Sequence, residues 1–88
     1  LASREEQDRL IQLGNLAKDV MENEAFHTAK KDAMKSLFTS FLASNADEDD
    51  LRVKLWATGQ AMDSLRHRLE GMVETAKVEM RNRAEDNQ

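Results

Sequence analysis

The chain has no cysteine, no proline and no tyrosine, and only three glycines in 88 residues. Without cysteine it can form neither a disulfide nor a thiolate zinc site, and the composition fits a reducing compartment. Without proline, nothing interrupts a helix by removing a backbone donor. Aromatic residues make up 5% of the chain, with Trp56 the single tryptophan. No apolar run approaches the roughly 20 residues of a membrane-spanning helix, so no membrane association is expected. No signal peptide is visible either, and Leu1 in place of an initiator Met reads as the start of a trimmed or processed chain.

Chemical motifs are missing as well. There is no glycine-rich phosphate loop, no nucleophile elbow and no HExxH pair. The expectation is a protein that is not an enzyme and takes no cofactor. His27, Asp63 and His67 could approach one another in a hairpin, but three ligands fall short of a closed zinc site, so no metal is expected.

What is present is helix-forming: Ala, Leu, Met, Glu, Lys, Arg and Gln dominate, with 34% charged and 40% apolar residues. A chain of this length buries only about 60–65% of its unfolded surface, so a lone core is marginal. Oligomerisation is the compensation left open, and a protein partner, self or larger assembly, is expected. The net charge of −4 is uneven. Residues 1–50 hold six Lys/Arg against eleven Asp/Glu, and residues 51–88 hold seven against six. Arg66, Arg68, Arg81 and Arg83 form only small basic groups, and nucleic acid is not an expected partner.

The spacing predicts one all-α domain over residues 1–88, with helices at about 3–22, 23–43 and 47–83 and a polar tail at 84–88. Ser3 opens the first helix as an N-cap with Glu6 in capping-box position, and Leu10, Leu13, Ala17 and Val20 then recur at helical steps. Gly14 falls between these positions and is tolerable there. Asn23 caps the second helix, whose apolar residues cover more than a narrow stripe and so call for two neighbours. Asp47 heads the run Asp47–Glu48–Asp49–Asp50 and is expected to cap the third helix, with the other acids in the dipole-favoured first turn. That run lacks the alternation and central glycine of a calcium loop.

The third helix carries a heptad seam: Leu51, Leu55, Thr58, Met62, Leu65, Leu69, Met72, Ala76 and Glu79. Its length matches the first two helices together. The expected fold is therefore a long antiparallel helical hairpin with a bent or broken first arm and a coiled-coil-like seam. A compact three-helix bundle is the alternative. Phe38, Phe41, Leu42, Leu55 and Trp56 gather near the turn and are the expected protein-interface residues, with Trp56 either shielding the core or anchoring another chain.

The stretches "LAKDVMENEAF" and "DEDDLRVKLWATGQAMDSLRHRLEGMVETAK" resemble small helical proteins encoded by tailed bacteriophages, often within virion or packaging gene clusters. The matching residues are Ala17, Asn23, Phe26, Arg52, Leu55, Trp56, Ala61, Leu65, Leu69, Val73 and Lys77, within residues 16–78. Where that family often has proline after the Asn, this chain has Glu24. The resemblance implies a virion or assembly component located in the host cytoplasm or the virion, and no catalytic residues. Two further readings use the same helices: a phage-encoded regulator or inhibitor that binds a host protein, and a nucleotide or nucleic-acid binder at a protomer interface through its arginines and Lys77.

Overall fold

A computed structural model describes residues 3–86 as three helices, α1 (Arg4–Glu22), α2 (Glu24–Ala43) and α3 (Asp49–Asp86). No strand occurs among the described residues. At 1.5 Å per residue, α3 is about 57 Å long, and α1 and α2 end to end are about 58 Å. The molecule measures 63 × 27 × 16 Å. Helices with side chains are about 10–12 Å across, so 16 Å leaves room for one layer only. The shape is that of the antiparallel hairpin with a broken first arm, and not of the compact bundle.

The break in the first arm takes one residue. Asn23 leaves the helical region (φ −71°, ψ 124°), its N–H donates to Val20 O, and its Oδ1 accepts from the Phe26 N–H at 2.9 Å. One side chain and one amide thus end α1 and start α2. At the other end, Ser3 Oγ accepts from the Glu6 N–H at 3.2 Å.

The turn between α2 and α3 departs from expectation. Asp47 does not cap α3; it lies in the turn, two residues ahead of the first helical residue, Asp49. Glu48 takes the capping position through its backbone, its carbonyl accepting from the Arg52 N–H at 3.1 Å. Its carboxylate turns back to accept from the Asn45 N–H at 2.8 Å, while Glu48 N–H donates to Asn45 O. Closing that turn delays the helix. The far end also differs: residues 84–86, expected as tail, continue α3, and positions 87–88 lie outside the described residues.

α1 packs mainly on α3, with antiparallel register set at the ends by Arg83, whose Nη1 lies 2.6 Å from Asp8 Oδ1. Among the described residues, only small ones are fully buried: Gly14, Ala17 (3% exposed) and Ala76 (2%). Gly14 is not merely tolerated. A Cβ there would collide with Ala76 Cβ and stand 2.7 Å from Met72 O. The two backbones meet because neither helix carries bulk at this level, and Val20, expected in the seam, is left exposed.

The α3 seam is half as expected. Leu55, Met62, Leu69 and Ala76 face the first arm. Their better-covered companions are Arg52, Gly59, Arg66 and Val73; Leu51 and Thr58 are exposed, while Leu65 and Met72, also exposed, edge the grooves against α2 and α1. Adjacent residues on a helix stand about 100° apart, so a heptad row has two possible flanks. Apolarity favours the first flank, but polar bonds at the turn select the second. Arg52 Nε donates to Ser44 Oγ at 2.8 Å, and its guanidinium carbon stands 5.0 Å from the centre of the Phe41 ring. These contacts set the rotation of α3 under the arm.

Candidate interaction surface

The two halves of the hairpin differ in kind. α1 sits close on α3, whereas α2 buries no residue at all. It nevertheless carries the more apolar sequence, with Phe26, Met34, Leu37, Phe38, Phe41 and Leu42. A helix of 20 residues has little stability alone, so packing must supply it. Within this chain that packing comes from one side only.

Between α2 and α3 near the turn lies an open groove of about 500 Å³. α2 contributes Met34, Leu37, Phe38 and Phe41; α3 contributes Leu55, Trp56 and Gly59, and Asp63 lines the end away from the turn. Four of the five expected interface residues therefore share one surface. Leu42 does not line it, although it is 67% exposed on the last turn of α2. Trp56 and Phe38 are each 64% exposed, so Trp56 does not close over the core.

Gly59 was not singled out by the sequence pattern, and it belongs to this surface. A Cβ built there meets nothing within 4 Å. Glycine inside a helix costs about 0.5–1 kcal/mol relative to alanine. At Gly14 that cost is offset by close helix contact; at Gly59 nothing among the described residues uses the bare backbone. The signal available from sequence was Gly59 lying four residues beyond Leu55 on a seam flank, but a choice of flank was needed to read it.

Past Asp63 the surface becomes charged. Arg66 Nη2 donates to Asp63 Oδ1 at 2.9 Å and Nη1 donates to Glu70 Oε1 at 2.7 Å. His67 Nε2 stands 3.2 Å from Asp63 Oδ2. The hydrogen bond from Arg66 holds the Asp63 carboxyl below its ordinary value of 3.8, and the same bond, with that to Glu70, raises the guanidinium. His27 is not part of this cluster; its ring meets the edge of Phe26, with centres 6.3 Å apart. Among the described residues, no three His, Asp or Glu side chains gather as a metal cluster. Two of the four grouped arginines are held by carboxylates, Arg66 as above and Arg83 on Asp8. No helix among the described residues is long and apolar enough to cross a membrane.

In comparison with known proteins, no family model matches the chain, and neither a curated protein nor a solved structure matches it.

Proposed function

We propose that the protein is a non-enzymatic helical interaction module that self-associates or docks on a larger complex through the α2–α3 groove. One observation carries this reading: α2 is the most apolar helix of the chain and buries none of its residues. Apolar surface left in water is unfavourable by about 25 cal/mol per Å², and exposed patches of this kind mark association sites. Tryptophan and other aromatics at the centre of the patch are the side chains that anchor interfaces. The pairing of Arg66 and Arg83 with carboxylates argues against a phosphate-binding strip. The resemblance to tailed-phage proteins extends the reading to a virion or assembly component.

The test places a photo-crosslinking residue at Phe38, or at Val78 as a control, in the chain expressed in the cells that make it. Val78 is also exposed but lies toward the other end of α3. The expected result is a discrete crosslinked product from position 38 alone. No product from either position, or equal products from both, refutes the proposal.

A further inference from the structure

We propose that α2 is a strap that melts away from α3 by local unfolding while α1 stays closed on α3. The inference goes beyond the interaction reading and does not depend on it. It starts from how little holds α2 in place. None of its 20 residues is buried. Its seam with α3 is open at two levels. The groove of about 500 Å³ lies near the turn, and a second of about 230 Å³ lies between Phe26, Ala29 and Lys30 of α2 and Met62, Leu65 and Arg66 of α3. Atoms that face such a gap have no contact partners on that side. Polar ties are missing as well. Among the described residues, the side-chain bonds between elements are those of Arg52 at the turn and of Arg83 at the far end. None of them reaches residues 24–40.

Support within the helix is also weak. The runs Phe26–His27–Thr28 and Phe38–Thr39–Ser40–Phe41 consist of poor helix formers. No ion pair forms inside α2 among the described residues, whereas Lys18–Glu22 lies in α1 and Arg66 with Asp63 and Glu70 in α3. A helix of this length without packing is marginal in water. α1 is held differently. Its backbone meets α3 at Gly14 and Ala76, and Arg83 ties its first two turns through Asp8, Gln7 and the Arg4 carbonyl.

The ends of α2 are anchored outside it, which makes it a strap and not a free arm. Asn23 N–H donates to Val20 O of α1, and Ser44 is held by Arg52, which donates to its Oγ at 2.8 Å and to its carbonyl at 3.3 Å. The helix spans about 30 Å between these anchors. Twenty unfolded residues reach about 66–72 Å when extended, so α2 melts without pulling on either anchor. Released, it uncovers Leu55 and Met62, which line the two grooves. The grooves exist only in the closed form, so whatever fills them holds the strap shut.

Hydrogen exchange of the full chain at micromolar concentration, followed by mass spectrometry, tests the strap. Amides of residues 28–40 are expected to exchange about tenfold or more faster than those of residues 10–20 and 70–80 after correction for intrinsic rates. Gly14→Ala, which loosens α1 on α3, should speed exchange in α1 and leave α2 unchanged, because the α1–α3 contact is common to the closed and released forms. Brief trypsin treatment supplies a second readout, with the first internal cut expected after Lys30, Lys31 or Lys35 and not after Lys18 or Lys77. Equal protection of α1 and α2 overturns the inference. So does an α2 rate that rises together with the α1 rate in Gly14→Ala, or a first cut at Lys18 or Lys77.

Discussion

Replacing Gly14 by alanine is a sharp test of the α1–α3 contact, because the usual expectation has the opposite sign. In an exposed helix interior, Gly→Ala gains about 1 kcal/mol from helix propensity. Here the added methyl meets Ala76 Cβ and stands 2.7 Å from Met72 O. Ordinary carbon contacts begin near 3.5 Å, so α1 must move off α3 by about 1 Å. Neither obstacle can rotate away, since one is a Cβ and the other a backbone carbonyl. Overpacking of this kind costs about 1–3 kcal/mol, and the rigid neighbours place it in the upper part of that range. The net effect is a loss of about 1–2 kcal/mol, or a Tm lower by roughly 5–15 °C for a chain of this size. Gly59→Ala is the matched control: it meets nothing within 4 Å and should raise the monomer's Tm by a few degrees. Both are read by thermal circular dichroism at concentrations where the chain is monomeric. Adding Ala76→Gly to Gly14→Ala should recover part of the loss, a coupling that a double-mutant cycle isolates. If Gly14→Ala stabilises the chain as much as Gly59→Ala does, the two helices do not approach as closely as described.

Asn23→Ala removes the side-chain acceptor of the Phe26 amide and should cost about 1 kcal/mol, whereas Asn23→Gly should cost only a few tenths; equal melting of all three proteins would remove the capping role. Asp63 provides a pH test. Its pKa is depressed in the folded chain, so its contribution is in place above the ordinary value of 3.8 and is lost as pH falls through the lowered one. An NMR titration should show the Asp63 carboxyl inflecting below 3.8 in the parent chain and moving up in Arg66→Gln; an unchanged inflection in the variant would show that Arg66 is not the cause.

The all-helical class, the hairpin and its break were legible because each rests on local chemistry. Asn23 announces a cap by its side chain, and Ser3 does the same. The absence of proline and the surplus of helix formers leave long helices as the outcome, and the matched lengths of residues 4–43 and 49–86 make a hairpin. Four of the expected surface residues are brought together for a related reason: Phe38 and Phe41 near the end of one helix, and Leu55 and Trp56 near the start of the next, must meet across a short turn.

A heptad pattern states a period and not a phase. Leu55, Met62, Leu69 and Ala76 lie at the middle of the α3 row whichever flank is used, so they were readable. The choice between the Leu51–Leu65 flank and the Arg52–Arg66 flank depends on the bonds from Arg52 to Ser44 and on how near α1 can come at Gly14. Asp47 and Glu48 are equivalent as acids ahead of a helix, and only the closing of the turn on Asn45 assigns the capping position. The amino-acid sequence by itself determined that this chain is helical, where its arm breaks and which residues cluster at the turn, because those follow from interactions within a few residues. The tertiary structure decided which face of α3 is covered, that two glycines of equal local cost differ in use, and that α2 is left with an open apolar groove, because those depend on distances between helices that no local pattern encodes.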